Sequence, residues 1–204
     1  MQQFWDERYR QEAYVYGEAP NVFLKEQLEG LTPGKILFPA EGEGRNAVYA
    51  ATLGWDTYGF DTSNEGKKKA LALAQKHSVN IDYWVGTFPD LPYQPAQFDA
   101  LALIYAHFPS AFRRQLYPAL ISYLRPGGLV IMEVFSKRQI EFQAKNPRSG
   151  GPRELDLLSS TEEVRTEFQG FETLLLEETE TNLEEGLYHV GTGSVVRFVG
   201  RKKD

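Results

Sequence analysis

The run Gly42-Glu43-Gly44-Arg45-Asn46-Ala47 has the residue types and spacing to hold a nucleotide-like cofactor. Glycine lets the backbone turn sharply and a ligand come close, and a helix N-terminus just after it offers free N–H groups. The run matches the G-x-G-x-x-A pattern of dinucleotide loops, and Asp61, 19 positions after Gly42, can accept hydrogen bonds from both hydroxyls of a ribose. His107, in Ala106-His107-Phe108-Pro109, is a candidate general base near neutral pH, or equally a histidine of the site's rim. The chain's three histidines lie far apart without ligand spacing, it has no cysteine, and its serines lack a G-x-S-x-G setting. Metal, thiol and serine-hydrolase chemistry are therefore not indicated, and no metal is expected.

Two glutamates, Glu41 and Glu43, decide between cofactors. A pyrophosphate on the loop would meet like charge, at about 4 kcal/mol for a contact at ~4 Å and an effective dielectric near 20. S-adenosylmethionine (SAM) has no phosphate, a cationic sulfonium and a zwitterionic amino acid end, so an acidic loop suits it better. An NAD(P)-dependent oxidoreductase is the alternative, and a plain strand-to-helix turn with Asp61 at a helix entry is the reading without a ligand.

The surrounding pattern supplies the elements. Lys35–Phe38, Thr57–Phe60, Ile81–Val85, Ala100–Tyr105 and Leu129–Phe135 read as strands. Between them, helices are expected over Asn46–Leu53, from a capping box at Thr62 and Glu65 to about His77, and over Ser110–Leu124. Strand and helix in alternation imply right-handed βαβ units, hence an α/β, Rossmann-like, doubly wound and mostly parallel sheet with helices on both faces. Gln139–Ser159 reads as a long polar loop and a lid candidate. A second capping box, Ser160 with Glu163, opens a helix to about Phe168. Phe171–Glu177 and Ser194–Val199 then read as an antiparallel edge hairpin whose polar connection leaves His189 at the surface. The expected organisation is one domain over 1–204: a helical, aromatic cap at 1–34 and an α/β core at 35–204. The cap carries Phe4, Trp5, Tyr9, Tyr14, Tyr16 and Phe23, which can lie over a cofactor and exclude water or simply pack.

Strand, G-x-G, helix, strand and Asp, then Phe98-Asp99 and the turn Leu124-Arg125-Pro126-Gly127-Gly128, resemble the class I SAM-dependent methyltransferases. Phe4-Trp5-Asp6-x-Arg8-Tyr9, Tyr16-Gly17, Pro20-Asn21 and Gly150-Gly151-Pro152-x-x-Leu155-Asp156 are similar to the branch of tellurite-resistance and thiopurine methyltransferase-like proteins. The resemblance implies SAM as cofactor, with S-adenosylhomocysteine as its product, and a cofactor site of Ala40, Glu41, Gly42, Gly44, Asn46, Asp61, Thr62, Thr87, Phe88 and Tyr105. A lid or substrate side of Trp5, Tyr16, Asn21, Arg148 and Arg153 is expected, the two arginines from the basic character of the loop. The family's D-x-G-x-G has Phe38 in place of Asp and Ala40 in place of the first Gly. Glu41 is the nearest carboxylate to replace that Asp, toward the SAM ammonium. Thr87 stands where an acidic residue often meets the adenine, and Phe88 can pack on the ring.

Composition bounds the partners. The chain has 204 residues, a net charge of -6, 42% apolar residues and no long apolar run. That argues against nucleic acid and membrane as partners. Lys137, Arg138, Lys145, Arg148 and Arg153 form a basic run that recruits an anionic substrate or is simply a solvated loop. The expectation is a cytoplasmic SAM-dependent methyltransferase of a small-molecule acceptor, since no recognition module is evident. A non-catalytic SAM- or nucleotide-binding domain is the other alternative. The acceptor and the oligomeric state are not written in the sequence.

Overall fold

In the computed structural model, which describes residues 2–203, a seven-stranded sheet forms with the strand order β3-β2-β1-β4-β5-β7-β6. The strands are β1 (Lys35–Pro39), β2 (Asp56–Asp61), β3 (Asp82–Val85), β4 (Phe98–Ile104), β5 (Leu124–Phe135), β6 (Phe171–Glu185) and β7 (His189–Lys202). The first five are parallel, and β7 runs antiparallel to both β5 and β6. The helices are α1 (Gln2–Tyr9), α2 (Val22–Glu29), α3 (Arg45–Thr52), α4 (Asn64–Lys76), α5 (Ser110–Tyr123), α6 (Gln139–Lys145) and α7 (Thr161–Glu167), with a 3₁₀ turn at Leu155–Leu157.

The period-two alternation of β1 sends its side chains into two cores. Ile36 and Phe38 pack with Phe23, Leu24, Ala47 and Ala50 of α2 and α3. Leu37 packs on the opposite face with Leu116 and Leu120 of α5. Two apolar faces under two helical layers make the doubly wound arrangement, and parallel strands buried on both sides read as continuous apolar runs. In such a sheet the loops after β1, β2 and β4 meet at the carboxyl edge, where ligands of open α/β folds bind.

Several local expectations are corrected. Ser63, not Thr62, caps α4: its side chain accepts from the Gly66 N–H. β2 runs on to Asp61, whose carboxylate takes the Ser63 N–H, so the chain turns one residue later. Gln139–Ser159 is not a bare loop. It holds α6 and the 3₁₀ turn, organised by the fully buried Gln139, whose amide bonds Ser149, Gly150 and the Ser194 N–H. The hairpin arms run to Glu185 and from His189, leaving a connection of only three residues, 186–188. Its outer strand β6 is an edge studded with Glu172, Glu177, Glu178, Glu180 and Glu184, charges that deter edge-to-edge pairing. Finally, the strand assignment of β5 takes in the Arg125-Pro126-Gly127-Gly128 turn, with a shift in register against β4 between Phe98 and Ala100. No described helix is long and apolar enough to cross a membrane.

Candidate functional site

The loop between β1 and α3 keeps the backbone of a glycine loop despite its altered letters. Ala40 has φ +54, the left-handed conformation glycine would favour, which costs an alanine about 1–2 kcal/mol. Gly44 caps α3 at φ +87, and a Cβ there would lie 2.5 Å from Ala70 Cβ, so α3 and α4 meet across it. Phe38 is 1% exposed in the core, which makes the family's acid position a packing position here.

The carboxylate lies three residues on. Glu41 Oε1 accepts hydrogen bonds from the Asn46 N–H at 3.0 Å and the Ala47 N–H at 2.7 Å, in the first turn of α3. These amides and the helix dipole are what a pyrophosphate would use, and a carboxyl side chain already fills the position. Burial pushes the Glu41 carboxyl up to about 8, against the opposing pull of those two N–H groups and of Arg45.

Glu43 has a different job from the one the sequence suggested. It is 5% exposed and faces away from the loop's open side, accepting from the Val15 N–H at 2.8 Å, the Tyr16 N–H at 3.4 Å and Lys69 Nζ at 2.8 Å. Its charge is spent on the N-terminal segment and Lys69, so it does not weigh against a phosphate as expected. Arg45 reaches Glu185 at 3.1 Å and the Tyr16 and Ala19 carbonyls, and Asn46 Oδ1 accepts from the Asn21 N–H at 2.9 Å. The side chains of Glu43, Arg45 and Asn46 therefore staple residues 15–21 over the loop.

Asp61 ends β2 with Oδ2 on the Gly42 N–H (3.1 Å) and Oδ1 on the Ser63 N–H (2.9 Å). It is 8% exposed, and burial raises its pKa against those hydrogen bonds. Tyr83 of β3 donates to the Gly42 carbonyl at 2.6 Å, so the Gly42 residue is held at both its polar groups. Thr62 is half-buried beside Asp61. Gly86 N–H bonds the Asp61 carbonyl at 2.9 Å, which brings the segment after β3 to the same edge. There Thr87 is exposed, and Phe88 packs against the α5-side core with its ring 6.5 Å from that of Phe112.

The neighbouring part of this edge is built from side chains. Tyr105, just beyond β4, has φ +50 and donates its N–H to the Glu133 carbonyl (2.8 Å) and its hydroxyl to Glu133 Oε1 (3.0 Å). Burial, then the charge of Glu133, raises its pKa far above the ordinary phenol value. Glu133, 1% exposed, also accepts from Asn21 Nδ2 at 2.6 Å and from Arg197 Nε at 2.7 Å. Asn21 Nδ2 reaches Glu185 at 3.3 Å as well, while Asn21 Oδ1 caps α2. Burial alone would raise Glu185, but Arg45 and His189 beside it outweigh this and hold it at about 2.

His189 is not at the surface. It is 5% exposed, bonded to Glu185 at 2.8 Å and packed edge-on to Tyr105 and Phe135, because the β6–β7 hairpin folds inward at its tip. His107 stacks 5.6 Å from Phe135 and bonds the Leu157 carbonyl through Nδ1 at 2.9 Å. Its Nε2 is buried with no hydrogen-bond partner, and burial lowers its pKa to about 4. The ring is thus neutral at physiological pH, with its proton on Nδ1 and a bare lone pair on Nε2.

Of the remaining sequence candidates, Trp5 stacks on Tyr9 at 5.4 Å and Tyr16 lies 4.7 Å from His189. Both therefore border the site. Arg148 and Arg153 stay exposed on a segment whose carbonyls are clamped by Gln139 and Gln143. Sequence reasoning missed Tyr83, Glu133, Glu185 and the inward side of His189. Only Glu133 left a signal, as the one charge inside the apolar run Leu129–Phe135. A cavity of about 290 Å³ lined by Leu71, Gln75, Val79 and Ile81 lies beyond the C-terminal end of α4, at the amino edge of the sheet and away from all these groups. Among the described residues no cluster of His, Asp and Glu fit to hold a metal ion occurs.

Comparison with known proteins bears on the domain and on the fold. A family model described as a methyltransferase domain matches residues 36–128. No curated protein matches the chain. Solved structures match over nearly its whole length. One, described under the conversion of a disulfide bond into a thioacetal group during echinomycin biosynthesis, has a TM-score of 0.79 at 20% identity, covering 100% of this chain and 92% of that one. Magnesium protoporphyrin IX methyltransferase from Synechocystis PCC 6803, with S-adenosylhomocysteine bound, has a TM-score of 0.71 at 15% identity, covering 99% and 97%. TehB from Haemophilus influenzae has a TM-score of 0.71 at 14% identity, covering 99% of this chain and 67% of its own. Residues 36–128 thus carry a methyltransferase domain, and nearly the whole chain has the fold of solved structures that include SAM-dependent methyltransferases.

Proposed function

We propose that the protein transfers a methyl group from SAM to a small-molecule acceptor, and that Glu41 supplies the carboxylate the family draws from the end of its first strand. The observation that carries this is the seating of Glu41 on the N-terminus of α3. A site whose helix amides are already taken by a carboxyl group has no free donors there for a diphosphate, whereas an ammonium group beside Glu41 would favour its ionised form. The backbone of Ala40, Gly42, Gly44 and Asn46 would line the amino acid portion, with Tyr105 at its far side. Asp61 and Thr62 would take the ribose, and Thr87 and Phe88 the adenine. When bound, SAM supplies an electrophilic methyl on a cationic sulfur.

The acceptor belongs at the Tyr105–His107 end. His107 Nε2 presents a lone pair with no competing donor, and the Leu157 carbonyl holds the tautomer that keeps it free. His107 Nε2 would accept a hydrogen bond from the X–H group of an acceptor and orient it; with its pKa lowered to about 4 by burial, its part is positioning rather than proton abstraction. Tyr16, Asn21 and the hairpin tip close this end from above, which suits a small acceptor better than a macromolecule. Trp5, Arg148 and Arg153 border the entrance.

Calorimetric titration tests the cofactor assignment: S-adenosylhomocysteine and SAM bind and NADH does not. Binding of NADH with no response to either SAM compound would overturn it. A panel of phenols, amines and thiols with labelled SAM then tests the acceptor class.

A further inference from the structure

The groups assigned to the ribose and the loop are buried, and what buries them on one side is α1. Tyr9, itself 5% exposed, lays its ring across the loop: a Cβ on Gly42 would lie 2.6 Å from the Tyr9 hydroxyl, and one on Gly66 3.3 Å from Cδ2 of the ring. Trp5 backs that ring. One turn earlier, Asp6 Oδ1 accepts from Ser63 Oγ at 2.6 Å and from the Glu65 N–H at 3.2 Å, so α1 completes the cap of α4. Ser63 is also the residue whose N–H orients Asp61 Oδ1. A continuous chain of contacts thus runs from α1 to the ribose carboxylate: Asp6 to Ser63, Ser63 to Asp61, Asp61 to Gly42, with Tyr9 over Gly42.

The other side of α1 is fastened differently. The Arg8 guanidinium lies 4.7 Å from the centroids of both the Phe4 and Tyr188 rings and 5.4 Å from Trp5, and donates to the Tyr16 hydroxyl at 3.0 Å. Tyr188 belongs to the tip of the β6–β7 hairpin, over the acceptor end. Behind α1, residues 10–13 are all exposed, whereas residues 15–21 are stapled down by Glu43, Arg45 and Asn46. The N-terminal segment therefore divides into a part stapled by α3 side chains and the loop before it, and a helix held through Asp6, Arg8 and Tyr9, joined by exposed residues 10–13 whose Ala13 carbonyl takes Lys69 Nζ at 2.7 Å.

Resting on the SAM assignment above, we infer that α1 is the movable wall of the cofactor site: Asp6 and Tyr9 position Asp61 and Gly42 for the ribose, and the helix lifts from the Tyr188 side to admit the cofactor. Asp6 and Tyr9 are positioning residues here. Arg8, stacked between α1's own rings and the hairpin tip, is the latch that ties cofactor entry to the acceptor end.

S-adenosylhomocysteine is the probe. Asp6→Ala weakens its binding about fivefold or more, while Asp6→Asn, which keeps an acceptor oxygen for Ser63 and Glu65, stays within about twofold of the parent. Asp6→Ala and Asp61→Ala are non-additive in affinity, as residues acting through one chain of contacts must be. Because the chain has no cysteine, a pair introduced at Arg8→Cys and Tyr188→Cys can be bridged by a short bismaleimide without side products. Bridging slows association about tenfold or more relative to the unbridged variant. Equal affinities for Asp6→Ala and the parent, or an association rate indifferent to the bridge, would overturn the inference with the SAM assignment intact. A parent protein that binds neither SAM compound would instead sink the assignment beneath it. The Asp6 pair answers the question should the cysteine pair fail to fold.

Discussion

The two ends of the proposed site, the nucleotide end and the acceptor end, are built on different plans. The nucleotide end is held by backbone groups: Gly42 by Asp61 and Tyr83, Ser63 by Asp61, and the amides of α3 by Glu41. The acceptor end is held by side chains brought from distant parts of the chain: Asn21 meets Glu133 and Glu185, Arg45 meets Glu185, and Tyr105 meets Glu133. Contacts to the backbone tolerate changes of letter. Phe38 and Ala40 depart from the family loop, yet the turn keeps its left-handed residue and its carboxylate. A network of buried charges has no such tolerance, because each member's removal strands another.

That contrast sets the largest expected effect. Glu133→Ala leaves Arg197 and the Asn21 amide without their buried partner, and costs about 3–5 kcal/mol of stability, read by urea unfolding. A loss below ~1 kcal/mol would mean that the acceptor end is no more brittle than the other. At the nucleotide end, Asp61→Ala weakens S-adenosylhomocysteine binding at least tenfold, about 1.4 kcal/mol, with a smaller loss of stability. Unchanged affinity would remove Asp61 from the ribose assignment.

Protonation separates the ends further, with opposite signs. Glu41 has its folded pKa raised to about 8 from 4.5, so its contribution to stability is full below pH 4.5 and is lost as pH rises through 8. Glu41→Gln flattens that part of the stability profile, and it weakens SAM binding if the carboxylate meets the ammonium. A tighter site after this change would refute that role. His107 is lowered to about 4 from 6.5, so its contribution is full above pH 6.5 and is lost as pH falls through 4. The smallest effect is thus a silence: the His107 ring shows no titration by NMR between about pH 6 and 9. A midpoint near 6.5 would mean that the ring is open to water.

The same contrast explains what could be read in advance. The parallel sheet, the glycine loop and Asp61 announce themselves because strand periodicity, glycine and a spaced acid are local signals. So is the second capping box, where Ser160 and Glu163 bond as the letters suggest. Thr62 was one residue out because two hydroxyl residues stand side by side and only the end of β2 selects between them. His189 and Glu185 gave no sign, since their burial depends on a hairpin curling over residues from the other end of the chain. Glu43 looked like a ligand-facing charge because its partner, Lys69, lies a helix away.

The Asn21 amide joins residues 112 and 164 positions further along. Closing loops of that size brings little reward until the sheet between them exists, since the entropy of closure must be met first. The acceptor end is therefore among the last parts of the molecule to form and, by the same reasoning, among the first to open. A chain that has collapsed around its parallel strands but has not yet brought Asn21 to β5 has the loop after β1 but not the proposed acceptor end. On the proposed assignment, the Asn21 clamp would make completion of the acceptor end a late event of folding, separable in time from completion of the loop after β1.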